Sequence, residues 1–207
     1  MKIMLDVHTH NPLASDAIIS VEPRDFAPLP GRLYSVGIHP WSEHHGSNDI
    51  ALLKTLATHP QVAAIGECGI DLVRSTMTVD TQTQLTLLHA RLAEDVKKPL
   101  VIHCVRASHI IARLLKEFCP SQPWIIHGFR GNAHEAQALL RFPTVWLSFG
   151  EHFNPKALEI TPPSRRLAET DCSTLPFAQI AAAISPATPS FFTDSPAATN
   201  ANAFVLS

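Results

Sequence analysis

No stretch of this chain approaches the roughly 18 consecutive apolar residues that span a bilayer. The opening MKIMLDVHTH also lacks the apolar run of an export signal, so the expected location is the cytoplasm. Paired cysteines are missing. Cys68, Cys104, Cys119 and Cys172 stand far apart with no C-x-x-C, which reads as reduced thiols and not as a disulfide framework. Neither G-x-G-x-x-G nor a P-loop occurs, so a nucleotide-binding open sheet has no support. Charge is scarce at 16%, and the formal net charge of −2 argues against a broad basic face for nucleic acid, though not against a local phosphate site. What the chain does have is apolar residues, 45% of it, and 12 histidines. A length of 207 residues suits one domain, 1–207, with a sizeable core. The segment 185–207, rich in Pro, Ser, Thr and Ala, reads as a poorly ordered tail.

Short apolar runs alternate with helical stretches. Strands are expected at 2–7, 17–21, 32–38, 62–67, 99–104, 123–129, 144–150 and 165–171. Helices are expected at 47–59, with Ser47 as cap, and at 78–98, 108–118 and 132–142, with Asn132 as cap. Strand then helix, repeated, means parallel strands with crossover helices, and wholly apolar strands mean a sheet covered on both faces. Eight strand candidates point to an α/β fold, a (β/α)₈ TIM-type barrel. The barrel is abbreviated in its first βα units. No helix fits between HTHN and AIISV, and EPRDFAPLPG carries three prolines. An open doubly wound sheet is the rival.

The polar residues concentrate at strand ends. His8 and His10 close the first run, two apart and so on one side of a strand. Glu67, His103, His127 and Asp171 close later ones. In a parallel barrel these ends converge on the face that carries the active site. Four histidines and two carboxylates in one volume suit two borderline divalent ions. Such a pair needs a bridging anion, which a carboxylate can be and an imidazole cannot; Glu67 is the candidate.

The motifs DVHTH, GIHPW, GECGID, VIHC, IIHGFRG and ETD, in this order, resemble those of the TatD family of metal-dependent hydrolases. The resemblance covers residues 4 to about 176. It implies an amidohydrolase-type barrel and a divalent-metal deoxyribonuclease. It also implies His8, His10, Glu67 and Asp171 around one ion, and Glu67, His103 and His127 around the other. The chain departs from the family pattern in HCVRAS, which lacks the usual His-x-Arg-Asp, and in HGFRG, where Arg130 replaces a serine.

Two ions can acidify a water and neutralise a phosphodiester, with Asp171 taking the proton and Glu67 sharing the catalytic role. Arg106 and Arg130 follow ligand-bearing strands and are candidates to grip phosphate. His39, in the family-like G-x-H-P, is a candidate substrate contact, and Trp41 a stacking surface. Cys68, Cys104 and Cys172 are expected to point away and pack. His44, His45, His59, His89, His109, His134 and His152 are expected on the surface. The leading function is phosphodiester hydrolysis of DNA with two divalent ions (Zn²⁺, Mn²⁺, Mg²⁺ or Ni²⁺). The alternatives are an amide or ester hydrolase acting on a small molecule, and a degenerate member that binds without turnover.

Overall fold

A computed structural model describes residues 5–187 and 189–193. Eight strands form one sheet in sequence order, each parallel to the next. They are β1 (Asp6–Thr9), β2 (Ala17–Val21), β3 (Leu33–Val36), β4 (Val62–Asp71), β5 (Leu100–Val105), β6 (Trp124–Ile126), β7 (Val145–Phe149) and β8 (Arg166–Ala168). The ends meet where His10 N–H donates to the Asp171 carbonyl (3.1 Å) and Asp171 N–H to that of His8 (2.9 Å). The sheet is therefore a barrel and not the open rival.

Helices α1 (Ser47–Leu56), α2 (Val79–Val96), α3 (Ser108–Phe118) and α4 (Ala133–Leu140) follow the expected periodicity. Asn132 caps α4 as expected, its side chain accepting from Glu135 N–H (3.0 Å). Ser47 does not cap α1. The cap position is Gly46, whose N–H donates to Asp49 (3.0 Å), because the carboxylate three residues on reaches back. Two further helices, α5 (Pro155–Ile160) and α6 (Phe177–Ile184), were not expected, and a short α7 (Ser190–Thr193) lies in the C-terminal segment. No helix lies between β1 and β2, and only a single 3₁₀ turn, Pro23–Asp25, lies between β2 and β3. The front of the barrel is thus abbreviated as the sequence implied. Of the expected tail, α7 is described and 194–207 lie outside the described residues.

Alternation along the strands divides the core in two. In β5 and β6, Leu100, Ile102, Trp124 and Ile126 pack with the helical Leu85, Leu92, Leu114 and Leu139, on the outside. Their neighbours Val101 and Ile125 join Ile18, Leu33, Ala64 and Leu167 on the inside. Helix α7 reaches that inner cluster: Phe192, 2% exposed, is buried in it and Phe191 packs against it. Burying a side chain of that size contributes about 2–3 kcal/mol. Among the described residues, no helix is long and apolar enough to cross a membrane.

Candidate active site

His8, His10, Glu67, His103, His127 and Asp171 meet at one mouth of the barrel, but Glu67 does not end its strand as the sequence implied: β4 runs on from it to Asp71. Glu67, 3% exposed, sits at the centre. Its Oε2 faces His8 Nε2 at 3.3 Å and His10 Nε2 at 3.5 Å. Its Oε1 faces His127 Nε2 at 2.7 Å and His103 Nδ1 at 2.8 Å. The two carboxylate oxygens thus part the imidazoles into two sets. Asp171 Oδ1 lies 3.7 Å from His10 Nε2. His39 Nε2 also reaches Glu67 Oε1, at 3.1 Å, so it belongs to the cluster and not only to the wall of the mouth.

The motif GECGID makes this packing sterically allowed. Gly66 (φ +124°) and Gly69 (φ +140°) run against β5. A Cβ on either would strike a carbonyl oxygen, that of Val101 or of His103. Only glycine lets β4 press Glu67 against the histidine of β5.

Sequence reasoning missed the groups behind the cluster. Asp71 Oδ2 holds His103 Nε2 (3.1 Å) and accepts from Trp41 Nε1 (2.8 Å). Glu169 Oε1 holds His127 Nδ1 (3.2 Å). Asp6 accepts from Thr170 N–H (3.0 Å) and Oγ1 (2.6 Å), fixing the turn before Asp171. A signal was available for Asp71, because residues 67, 69 and 71 share one side of β4, whereas Glu169 lies beyond the end of β8 and gave none.

His89, assigned to the surface by its helix, is fully buried. Its Nε2 accepts from Ile38 N–H (2.9 Å) and its Nδ1 donates to the Leu85 carbonyl (2.8 Å). It pins the backbone beside His39, and burial lowers its pKa to about 4. His45 and His59 are half-buried, while His44, His109, His134 and His152 are exposed. Cys68 packs in the core as expected. Cys104 is half-buried and Cys172 exposed, and both line the mouth. Cys172 lies beyond the end of β8, where strand alternation no longer applies, and Cys104 sits at the rim beside Ser108 of α3.

The cluster favours positive charge. Burial pushes the Glu67 carboxyl up, but the surrounding imidazoles, His127 and His8 foremost, outweigh it and hold Glu67 well below its ordinary value. Burial pulls His127 down, and Glu67 and Glu169 reverse this and raise it well above its ordinary value. His10 is raised chiefly by its contact with Glu67. A divalent cation is the other way to supply such charge. Ring and carboxylate atoms of His8, Glu67 and His127 come together within 4.8 Å, as do those of His8, His10 and Asp171 and those of His39, Glu67 and His103. Both ring nitrogens of His8 and Glu67 Oε2 are buried without a hydrogen bond; the 3.3 Å contact between them is not aligned for one. Asp71 and Glu169 each hold the outer nitrogen of an imidazole and leave the other aimed inward, the usual support of a metal-binding histidine. The residues fit a metal.

A cavity of about 670 Å³ opens on one side of the cluster and one of about 280 Å³ on the other. Arg106 and Arg130 line the larger one, as does Arg74, which was not foreseen. The Arg74 guanidinium lies 4.3 Å from the Trp41 ring centroid.

The sequence model of one family, described as TatD related DNase, matches residues 27–190. The chain belongs to the TatD family. A TatD of Escherichia coli K12, named a 3′-5′ ssDNA/RNA exonuclease, is 33% identical over 107 residues, which is 50% of this chain and 41% of that protein. The TatD of Edwardsiella piscicida, of the same name, is 31% identical over 146 residues, 66% of this chain and 56% of that protein. The chain spans about half the length of the curated relatives it matches. Among solved structures, the TatD homologue YjjV of E. coli superposes with a TM-score of 0.69 at 20% identity, covering 98% of this chain and 95% of that one. A TatD-family hydrolase of Entamoeba histolytica gives 0.60 at 16% identity, covering 82% and 73%. These two likenesses support the barrel fold.

Proposed function

We propose that this chain is a divalent-metal-dependent phosphodiesterase that removes nucleotides from the 3′ end of single-stranded DNA or RNA. The observation that carries this reading is Glu67, whose two buried oxygens face separate sets of imidazoles. His8, His10, Glu67 and Asp171 would hold one ion, and Glu67, His103 and His127 the other, with Glu67 common to both sets. The bound ions supply Lewis acidity that acidifies a water and neutralises phosphate charge. The nitrogen-rich ligand set favours Zn²⁺, Mn²⁺ or Ni²⁺ over Mg²⁺. The nuclease names of the relatives support this substrate class and direction. A cytoplasmic setting suits the free thiols.

The residues then divide the work. Arg106 and Arg130 hold the non-bridging phosphate oxygens. Asp171, with a side chain 27% exposed, takes the proton of the attacking water and passes it to solvent. The new bond joins the water oxygen to phosphorus. The bond to the 3′ oxygen of the preceding nucleotide breaks, and that oxygen leaves as a hydroxyl after gaining a proton. The released nucleotide keeps a 5′-phosphate.

Metal content and hydrolysis of bis-p-nitrophenyl phosphate, measured on wild type and Glu67→Ala, test this reading. Wild type is expected to hold about two ions per chain. The variant should lose both metal and turnover. Metal-loaded wild type that cleaves an amide or ester panel but no phosphodiester would overturn the phosphodiesterase assignment. Bound metal with no hydrolysis of any kind would leave a binding protein.

A further inference from the structure

The two cavities meet at the same residues, His10, His39, Trp41 and Glu67, so they are two arms of one cleft that crosses the cluster. Their charges differ. The large arm carries the exposed Arg74, Arg106 and Arg130, none of which forms an ion pair among the described residues; of its carboxylates, Asp171 belongs to the cluster, Asp71 is held by Trp41 and His103, and Glu135 by Ser108 and the Asn132 N–H. The small arm carries Glu22 and Asp25 and no lysine or arginine. Glu22 is held in place, its Oε2 accepting from Ser42 Oγ at 2.8 Å. The inner wall of this arm is Glu67, 3% exposed, whose Oε2 has no hydrogen bond. Trp41, 40% exposed, stands between the arms with its indole N–H fixed on Asp71.

We propose that the Glu22–Asp25 arm is the subsite for the terminal nucleoside, and that it accepts a free 3′-hydroxyl and excludes a 3′-phosphate. This rests on the phosphodiesterase reading of the centre. A nucleic acid carries one phosphate per nucleotide. Its chain therefore lies along the arginine arm, where charge attracts it, and is repelled from the carboxylate arm. Past the reacting phosphate there is room at about 280 Å³ for one nucleoside. The base lies against Trp41. A terminal hydroxyl can donate to a carboxylate, whereas a terminal phosphate sets a dianion beside two of them.

The test uses metal-loaded protein and two decathymidylates that differ only in a 3′-hydroxyl or a 3′-phosphate. The phosphate end is expected to lower kcat/KM about tenfold or more. In Glu22→Gln/Asp25→Asn, the phosphate-to-hydroxyl ratio of kcat/KM should rise at least about fivefold. Asp25→Asn alone, at an exposed position, should move it in the same direction and covers a double variant that fails to fold. Equal rates on both ends in wild type, or a ratio that neither variant moves, overturns the proposal. Calorimetric binding of thymidine 5′-phosphate against thymidine 3′,5′-bisphosphate reads the subsite without turnover. Tighter binding of the monophosphate, lost in the variants, supports the subsite even if no oligonucleotide is cleaved, and the phosphodiesterase reading then fails alone. Cleavage of both ends alike, with no binding preference, removes the subsite and leaves that reading intact. Absence of both cleavage and preference removes both.

Discussion

The front of the barrel, β1 to β3, and its rear, β4 to β8, reach the same mouth by different means. At the rear, α2, α3 and α4 follow β4, β5 and β6, and their leucines cover the sheet. At the front the chain passes from β1 to β2 to β3 with only the Pro23–Asp25 turn. A pinned loop takes the place of a helix there. Phe26 packs on Tyr34 (ring centroids 5.4 Å) and His59 (5.0 Å), Leu29 N–H donates to Tyr34 OH, and Gln61 Nε2 donates to the Leu29 carbonyl. Both regions still place their histidines on Glu67: His8, His10 and His39 from the front, His103 and His127 from the rear. The position of a side chain at the mouth depends on its strand and the backbone ladder, not on the crossover helix. Shortening the front therefore leaves the cluster whole and changes the rim, which is acidic at Glu22 and Asp25 in front and basic at the arginines behind.

Asp171 lies on the seam where rear meets front, and Asp171→Asn should show the largest effect. An amide accepts a proton poorly, so kcat on bis-p-nitrophenyl phosphate should fall about a thousandfold. Turnover within about threefold of wild type would take the proton-accepting role from it. Phe192 tests whether the two regions are one cooperative unit. It packs in a cluster with Val7, Ile18 and Leu33 of the front and Val101, Ile125 and Leu167 of the rear. Phe192→Ala should cost about 3 kcal/mol in urea denaturation, with one transition by both fluorescence and far-UV circular dichroism. Two separated transitions would show front and rear unfolding independently.

All eight strands were legible in order because parallel strands buried on both faces read as continuous apolar runs. Their ends were less so. β1, Asp6–Thr9, runs on past the expected end at 7, since His8 and Thr9 are polar residues drafted into the strand by the site they serve; residues 2–4 of the expected strand lie outside the described residues. β8 stops at Ala168, short of 171: Asp171 adopts a left-handed φ of +52° and keeps only an isolated bridge to Thr9, and the chain turns at 170–173. The short α5, with Pro155 at its start, carries too few turns to show a period, and α7 is four residues long. The six foreseen metal-ligand candidates stood out because charge ends an apolar run. Asp71 could have been found from its spacing to Glu67, whereas Glu169 and His89 could not, because their task is visible only in their partners.

His89 joins the regions in another way. It belongs to α2 of the rear, yet it holds the Ile38 N–H at the end of the front strand β3. Burial keeps it neutral when folded, with its pKa down from the ordinary 6.5 to about 4. Between those values the unfolded chain binds the extra proton. Its contribution is therefore complete above pH 6.5 and is lost as pH falls toward 4. Between pH 7.5 and pH 5, wild type should lose about 2 kcal/mol more stability than His89→Gln, whose amide does not titrate. Equal slopes for the two chains would mean that His89 takes up its proton at the same pH folded as unfolded, so that burial does not lower its pKa.

The smallest effect sets a rear carboxylate against a front one. Glu169 grips the ring of His127, whereas Asp6 grips the backbone and hydroxyl of Thr170 and touches no imidazole ring. A histidine whose outer nitrogen loses its carboxylate is a weaker and less fixed ligand. Glu169→Gln should therefore weaken metal binding about 10- to 100-fold in a chelator competition. Asp6→Asn keeps an oxygen for Thr170 and should change metal affinity less than about threefold, its cost falling on stability instead. Equal losses of metal from the two variants would mean that the support comes from the closing seam as a whole. A loss confined to Glu169→Gln would place it in the one hydrogen bond to His127.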